Sequence, residues 1–217
     1  MVRSNSPILI IDSGLGNVLS VARAFERIGQ SPHLRREAPP DNELDRFSLT
    51  VLPGVGSFDR GIFNLNQRGW SEWIQATWMV RNPILGLCLG MQLLCEGSAE
   101  GTSEGLGLVP GKFEKFGKGG APSARLKVPH MGWNYVRFDP NRAPWSGPPS
   151  ESKRFYFVHS YYLPSVQSEF AGGWTTYGEV FTSAVVRDRV IGLQFHPEKS
   201  HRYGADLLRG IVDWANA

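Results

Sequence analysis

The amino-terminal part of the chain alternates short apolar runs with amphipathic stretches. Residues 8–11 (ILII) are apolar and are followed by Asp12 and Gly14, a pattern typical of a buried strand that ends in a turn. The next segment, NVLSVARAFERIG, places its apolar side chains on one helical face and ends at Gly29. This part of the sequence therefore predicts a strand followed by a helix.

Two further strand–helix units follow in the same order. Residues 48–52 read as a strand that ends at Pro53 and Gly54, and residues 84–87 (ILGL) read as another. The helix between them is predicted from apolar residues at helical spacing, which should form a core face: Trp70, Trp73, Ile74, Thr77 and Trp78. After Cys88, LGMQLLCEGS is predicted to be helical. The alternation is typical of a parallel sheet with helices on both faces.

The second half of the chain reads mainly as strands. The strand-like segments are YVRF, RFYFVHSYYL, EVFTSAVVRDR and VIGLQFH, separated by turn-rich pieces. Residues 139–152 are predicted to form a surface loop because of their proline, glycine and serine content, and apolar residues at 207, 208, 211 and 212 predict a final helix. We expect a single α/β domain over residues 1–217, with a central, mostly parallel or mixed sheet flanked by helices.

Composition narrows the class of protein. The chain has 217 residues, of which 41% are hydrophobic, enough for one buried core. A net charge of +3 is mild and spread out, which argues against a nucleic-acid partner. The most basic segment, residues 111–127, is predicted to be a solvated loop or hairpin, with a partner surface or an anion site as the alternative. The sequence shows neither a signal peptide nor an apolar run that could span a bilayer, so we expect a cytoplasmic protein without a membrane partner.

The two cysteines are not expected to pair. Cys88 and Cys95 lie seven residues apart, which is roughly 10 Å along a helix. A disulfide needs Cα atoms within about 7 Å. A zinc site built from these cysteines and His196 would lack a fourth ligand, so no metal is predicted.

Cys88 lies in the pentapeptide GLCLG, between a predicted strand and a predicted helix. A nucleophile flanked in this way by glycines is the signature of a sharp elbow turn that presents the side chain at the carboxyl end of a sheet. The positive end of the helix dipole would favour the thiolate, and the N–H group of Leu89 would point towards a developing oxyanion. An inert thiol packed in the core is the alternative for these five residues.

His196 and Glu198 follow the apolar strand VIGLQF. Side chains at positions i and i+2 of a strand project to the same side, so the glutamate could orient the histidine as a general base. A surface histidine beside a surface glutamate is the alternative. Four histidines have no carboxylate two residues away: His33 and His201, expected at the surface, and His130 and His159, expected in the core or at an interface.

The loop after the second predicted strand contains Gly54, Val55 and Gly56. Beside a nucleophile such a loop can supply backbone N–H groups for an oxyanion hole, although by itself it is only a turn. This loop, Cys88 and His196 all follow predicted strands, and ligands gather at the carboxyl edge of such sheets. Their coincidence favours a cysteine nucleophile.

Three segments in this order, PGVGSF, GLCLGMQLL and GLQFHPEKS, resemble the class I glutamine amidotransferases, which have a flavodoxin-like core. Four others, IDSGLGNVLSV, SEGLGLVPGKF, VPHMGWNYV and FYFVHSYY, resemble the branch of that family that serves histidine biosynthesis. The resemblance covers nearly the whole chain. It departs at Ser13, where many relatives have an aromatic residue, and at residues 139–152, which look longer and richer in proline.

The resemblance implies glutamine hydrolysis by a triad of Cys88, His196 and Glu198, with no cofactor. Cys88 would attack the side-chain amide, His196 would move the proton from the thiol to the leaving ammonia, and Glu198 would orient His196. Water would then hydrolyse the thioester to glutamate. The oxyanion would be held by N–H groups of Gly54, Val55, Gly56 and Leu89. Positions that match glutamine-binding residues are Gln92, Glu100, Ser160 and Tyr161.

The resemblance also implies a heterodimer with a cyclase subunit of TIM-barrel fold. That partner would use the ammonia to convert an N'-substituted aminoimidazole carboxamide ribonucleotide (PRFAR) into imidazole glycerol phosphate and AICAR. The predicted interface residues are His130, Met131, Gly132, Trp133, Asn134 and Lys199, with large apolar side chains such as Trp133 and Tyr161 as anchors. The Gly54–Val55 segment is expected to act as a gate whose N–H groups turn towards the site when the partner binds.

Three other functions remain open at this point. A glutaminase for another synthase, such as anthranilate synthase, would share the triad, although PHMGWN and FVHSYY argue against it. A stand-alone γ-glutamyl or peptide hydrolase could use the same elbow without a partner. A non-catalytic binding subunit is disfavoured because the cysteine, histidine and glutamate are all present.

Overall fold

The computed structural model describes residues 6–117, 126–147, 153–165 and 169–217, which form five α-helices and twelve strands. The helices are α1 (Val18–Arg27), α2 (Phe58–Gln67), α3 (Trp70–Met79), α4 (Leu89–Leu94) and α5 (His201–Asn216). The first six strands are β1 (Ile8–Ile11), β2 (Pro32–Arg35), β3 (Leu49–Leu52), β4 (Ile84–Leu87), β5 (Gly97–Ser98) and β6 (Lys112–Lys115). The others are β7 (His130–Phe138), β8 (Lys153–His159), β9 (Tyr161–Pro164), β10 (Ala171–Tyr177), β11 (Glu179–Arg187) and β12 (Val190–Leu193).

The main sheet has the order β2-β1-β3-β4-β12-β11-β10-β7-β8. Its first five strands are parallel, and from β12 onward each neighbouring pair is antiparallel. The predicted α/β domain with a mixed central sheet is therefore confirmed. Because β3, β4 and β12 are parallel neighbours, their carboxyl ends lie at one edge of the sheet.

Helices cover both faces of the parallel half. In β1, Ile8 and Ile10 join the core layer that contains α1 and α5, whereas Leu9 and Ile11 join the layer that contains α2, α3 and α4. This alternation explains why every residue of β1 is buried. The predicted tryptophan-rich face of α3 is confirmed, because four of its members are buried: Trp70, Trp73, Ile74 and Thr77.

The helix after Cys88 is shorter than predicted. It ends at Leu94 instead of continuing to Ser98, because a following loop takes the carbonyl groups that a longer helix would use. Leu106 N–H donates to the carbonyl of Leu93, and Val109 N–H donates to that of Leu94. Residues 97–98 pair with β6 as a short strand.

Several other elements also differ from the expectation. The sequence pattern missed β2, α2 and β10, and it read β8 and β9 as one strand, although the chain breaks at Ser160. The predicted surface loop is partly core, since Ala143 and Trp145 are buried. Residues 148–152 of that loop lie outside the described residues.

In the basic segment, residues 112–115 form strand β6, and residues 118–125 fall outside the described part of the chain. Across the described residues, none of the helices combines the length and the apolar character that crossing a bilayer requires.

We predict that Gly90→Ala strongly destabilises the fold. A Cβ atom at this position would lie 1.8 Å from the carbonyl oxygen of Leu52, so β3 and α4 would have to separate. The loss should be at least about 3 kcal/mol, the size seen for severe overpacking. Urea unfolding of the two proteins at pH 7.5 measures it.

Gly97→Ala is the matched control. Its Cβ would meet nothing closer than 3.9 Å, so we expect a change within about 1 kcal/mol. Equal losses from the two substitutions would contradict a specific contact at Gly90.

Candidate active site

Cys88 occupies a sharp turn between β4 and α4. Its backbone has φ 53° and ψ −107°, a left-handed conformation that a non-glycine residue adopts at a cost of about 1–3 kcal/mol. The flanking glycines permit the turn, because a Cβ at Gly86 would lie 2.6 Å from Leu94 and one at Gly90 would meet Leu52. Cys88 N–H also donates to the carbonyl of Leu193 at 2.7 Å, which ties the turn to β12.

His196 and Glu198 lie just beyond the carboxyl end of β12. The Nδ1–H group of His196 donates to Oε1 of Glu198 at 2.7 Å, and their side chains are only 3% and 5% exposed. The predicted pairing of the two side chains is found, but strand alternation does not produce it. β12 ends at Leu193, and residues 197–199 form a 3-10 turn that brings the carboxylate under the ring.

The electrostatic environment keeps a proton on His196. Burial lowers the pKa of His196, but its interactions with Cys88 and with the Glu198 carboxylate outweigh this effect. The net effect raises the pKa to about 10. Since Nδ1 is bound to Glu198, Nε2 is the nitrogen left for Cys88.

A cavity of about 370 Å³ opens beside Cys88. The loop of residues 54–56, predicted to form the oxyanion hole and called the oxyanion loop below, contributes Val55 and Gly56 to the lining. Leu89, the first residue of α4, also lines the cavity. The residues predicted to bind glutamine also line it: Gln92, Glu100, Ser160 and Tyr161. The remaining lining residues are Pro129, Val158 and His159. Residues far apart in sequence thus surround one thiol.

Glu100 makes a contact that its sequence pattern does not reveal. Its Oε2 accepts from the N–H of Phe58 at 2.8 Å, which satisfies a backbone group in the first turn of α2. The loop around it is held by Asp59, whose carboxylate accepts from the N–H groups of Thr102 and Ser103. These hydrogen bonds also lower the pKa of Asp59. Glu100 is therefore fixed at the rim of the cavity.

Gln194 is a polar residue at the site that sequence reasoning missed. It is completely buried, its Nε2 lies 3.7 Å from Sγ of Cys88, and its Oε1 accepts from Nε2 of Gln92 at 3.3 Å. Sγ also lies 3.9 Å from the carbonyl oxygen of Val158. A glutamine two residues before His196, inside an apolar strand, was the available signal, since buried amides need partners.

The N–H group of Leu89 is not free, because the oxyanion loop accepts a hydrogen bond from it. The carbonyl of Gly54 accepts from Leu89 N–H at 3.3 Å, so this predicted oxyanion donor is already engaged. Gly56 has φ 110°, a conformation that favours glycine, and the Val55 side chain is exposed. The peptide at Gly54 points its oxygen, not its nitrogen, towards the elbow.

Strand β7 presents an exposed aromatic face next to the site. Met131, Trp133 and Tyr135 alternate on its outer side, and Trp133 stacks on His201 with ring centroids 5.3 Å apart. Tyr135 was not among the predicted interface residues. Lys199 lies near the same surface, with Nζ 6.0 Å from the ring centre of Tyr156.

The remaining histidines lie as the sequence suggested. His33 and His201 are exposed, whereas His130 and His159 are buried, so the side chain of His130 does not lie on the outer surface of β7. Burial lowers the pKa of His130 to about 4. Among residues 6–117, 126–147, 153–165 and 169–217, no group of three or more histidine, cysteine or carboxylate side chains could hold a metal ion. Both cysteines are free and buried, and burial raises the pKa of Cys95 well above its usual range.

Comparison with known proteins gives the class to which this site belongs. The family model of glutamine amidotransferase class-I matches residues 9–212, and the chain belongs to this family. The PurLQS structure from Thermotoga maritima shares the fold, with a TM-score of 0.73 and 17% identity over 97% of this chain and 99% of that one.

Within that class, the chain belongs with the HisH subunits of imidazole glycerol phosphate synthase. It is 41% identical to "Imidazole glycerol phosphate synthase subunit HisH 2" of Methanococcus maripaludis, over 96% of this chain and 100% of the relative. It is also 41% identical to subunit HisH 1 of Prochlorococcus marinus, over 94% of this chain and 96% of the relative. The resemblance read from the motifs is thereby confirmed.

The buried histidine His159 predicts a loss of stability at acidic pH. Burial lowers its pKa, a hydrogen bond to the Tyr161 carbonyl opposes this, and the charges of His130 and His196 lower it further, to about 3. Between pH 6.5 and 3 the unfolded chain takes up a proton that the folded chain excludes, so stability falls as the pH falls. From pH 7.5 to 5, His159 should contribute a loss of about 2 kcal/mol.

Urea unfolding of His159→Phe at several pH values tests this. Between pH 7.5 and 5 the free energy of unfolding of the variant should fall by about 2 kcal/mol less than that of the wild type. His33→Gln is the control, since it removes an exposed histidine and leaves the buried pair intact. An unchanged pH profile for His159→Phe would contradict the prediction.

Proposed function

We propose that this chain is the glutaminase subunit of an imidazole glycerol phosphate synthase. It hydrolyses L-glutamine to glutamate and ammonia, and a cyclase partner uses the ammonia. One observation carries the proposal: a strained cysteine at a strand–helix elbow borders the cavity and interacts with a histidine that is hydrogen-bonded to a buried carboxylate. The family and its HisH members supply the reaction class.

Cys88, His196 and Glu198 form the proposed triad. The Cys88 thiolate attacks the amide carbon of glutamine, and the tetrahedral intermediate collapses as the C–N bond breaks. Ammonia leaves with the proton held on Nε2 of His196. His196 then takes a proton from water, the hydroxide attacks the thioester, and glutamate departs as the thiolate is restored. Glu198 keeps the ring oriented and stabilises the imidazolium.

The cavity supplies the contacts that would hold glutamine. Gln92 and Glu100 offer side-chain polar groups from α4 and from the loop after β5, and main-chain groups come from Ser160 and Tyr161 at the break between β8 and β9. Glutamine carries both an ammonium and a carboxylate, so a rim with one carboxylate and several backbone groups is chemically suited to it. Gln194 fixes Gln92 and donates towards the thiolate.

The partner is proposed to be a TIM-barrel cyclase that docks on the surface formed by Met131, Gly132, Trp133, Asn134 and Lys199. Exposed apolar side chains beside a reactive site favour an interface, since aromatic residues are enriched there. Met131 is 62% exposed. A closed interface also keeps ammonia from protonating in water. We place this complex in the cytoplasm.

The Gly54 carbonyl is proposed to keep the isolated subunit slow. While it accepts from Leu89 N–H, that N–H cannot bind an oxyanion. Rotation of the Gly54–Val55 peptide would release Leu89 and turn a second N–H group towards the cavity. Partner binding is the event expected to favour the rotated state.

The first test replaces the two cysteines separately. Cys88→Ala should abolish glutamine hydrolysis, with a loss of about 10⁴-fold or more, because no nucleophile remains. Cys95→Ala is the matched control, since Cys95 is buried and outside the cavity lining, and it should retain activity. Glutamate release is measured by a coupled assay. Ammonia release by Cys88→Ala at the wild-type rate would exclude the mechanism.

The second test adds the partner. Wild-type chain alone should turn over glutamine slowly, and a cyclase subunit from a HisH-containing synthase should raise kcat by at least about 100-fold, the scale of one oxyanion donor. The synthase subunit of anthranilate synthase serves as the control and should have no effect. Full activity without any partner would exclude the gate. Activation by the anthranilate synthase subunit alone would exclude the assignment to an imidazole glycerol phosphate synthase.

A further inference from the structure

Two buried histidines take no part in the proposed mechanism, and one of them, His159, lines the cavity. His130 is the first residue of β7 and His159 is the last residue of β8. Nδ1 of His130 lies 2.9 Å from Nε2 of His159, and Nδ1 of His159 lies 2.7 Å from the carbonyl oxygen of Tyr161. At the other end, Nδ2 of Asn134 lies 3.2 Å from Nε2 of His130.

The groups at the two ends of this row of hydrogen bonds determine which ring nitrogen of each histidine carries the hydrogen. The Tyr161 carbonyl can only accept, so Nδ1 of His159 carries the hydrogen. In a neutral ring Nε2 of His159 is then an acceptor, which requires a hydrogen on Nδ1 of His130. Nε2 of His130 therefore accepts from Asn134. Each histidine is the Nδ1–H tautomer, and a second proton on either ring would place two donors face to face.

The orientation of Asn134 is fixed by backbone groups in the same way. Its Nδ2 donates to the carbonyl of Thr176 at 2.9 Å, and its Oδ1 accepts from the N–H of Tyr135 at 2.8 Å. The amide therefore cannot rotate without losing both contacts. The direction of all the hydrogen bonds, from Asn134 to Tyr161, follows from main-chain groups alone.

Aromatic side chains enclose both rings. His130 is stacked between Phe157 and Tyr177, at centroid distances of 4.8 and 4.0 Å. His159 packs against Phe116 and Phe181 at 5.3 and 5.4 Å. Burial also lowers the pKa of His159 to about 3, which agrees with a neutral ring.

We propose that His159 is a positioning residue for glutamine, oriented by a hydrogen-bonded relay that runs from Asn134 through His130 and ends at the Tyr161 carbonyl. The proposal rests on the proposed function. Ser160, between His159 and Tyr161, lies at the strand break that lines the cavity, so the relay fixes the backbone that would contact the substrate. Asn134 lies on the strand that carries the proposed partner surface, so the relay joins that surface to the glutamine site.

The tautomers are tested without glutamine. Long-range ¹H–¹⁵N NMR correlations of the ¹⁵N-histidine-labelled chain should assign Nδ1–H tautomers to both His130 and His159 at pH 7.5. Asn134→Leu removes the donor to His130, so the Nε2 resonance of His130 should lose its hydrogen-bond shift. An Nε2–H tautomer at either histidine in the wild type would overturn the relay.

The positioning role is tested by glutamine kinetics of the isolated chain. His159→Phe should raise KM about tenfold with kcat changed less than about threefold. The reason is that the hydrogen bond fixing the backbone that would contact the substrate is lost, while the triad is intact. His159→Asn, which keeps a donor near the Tyr161 carbonyl, should restore most of the affinity. Phe181→Leu is the control for loosened packing around the same rings and should leave KM unchanged.

The outcomes separate this proposal from the proposed function. A wild-type chain that hydrolyses glutamine, with KM equally unaffected by His159→Phe and Phe181→Leu, overturns the positioning role and leaves the glutaminase assignment intact. A KM raised equally by both substitutions shows a packing effect and also overturns it. A wild-type chain with the expected tautomers but no glutamine hydrolysis, even with a cyclase present, overturns the proposed function and the positioning role together.

Discussion

The structure of the site depends on the close approach of three backbone segments at Cys88. Strand β3, the turn after β4 and the start of α4 come together closely enough that Gly90 leaves no room for a Cβ atom beside Leu52. At this crossing Cys88 adopts a left-handed backbone conformation, and it lines the cavity. The bond from Cys88 N–H to Leu193 then joins the turn to β12, which leads to His196. Backbone contacts thus join the turn that carries Cys88 to the segment that carries His196.

Two networks of hydrogen bonds surround that turn and differ in how easily they could change. The Gly54–Leu89 contact is a single bond of 3.3 Å between a glycine loop and the elbow, so one peptide rotation would break it. The Asn134–His130–His159 network is enclosed by aromatic rings and anchored at both ends by backbone groups. A loop that one peptide rotation can rearrange thus lies beside a hydrogen-bonded network that is held at both ends. This arrangement is expected where a site must be both regulated and accurately positioned.

The sequence predicted those features whose cause is local. The run at residues 8–11, the tryptophan spacing of α3 and the glycines around Cys88 each leave a pattern that one segment explains. The end of α4 left no such pattern, because α4 ends at Leu94 where a later loop takes its carbonyl groups. The sequence predicted that Glu198 pairs with His196, but it did not show that a 3-10 turn makes the pairing. Edge strand β2 is half exposed and lacks the apolar run that marks a buried strand. Gln194 was missed because its partners, Gln92 and Cys88, come from the other half of the chain.

The place of β12 in the sheet also has a consequence for how the protein is made. β12 is the last strand of the chain, yet it lies between β4 and β11, at the join of the parallel and antiparallel halves. During synthesis the thiol of Cys88 therefore emerges long before the histidine and carboxylate that would activate it. On the proposed mechanism, a partly made chain would hold a cysteine without its base, and glutamine hydrolysis would require β12 to be inserted into the sheet. The strand order would therefore make glutamine hydrolysis depend on the complete fold.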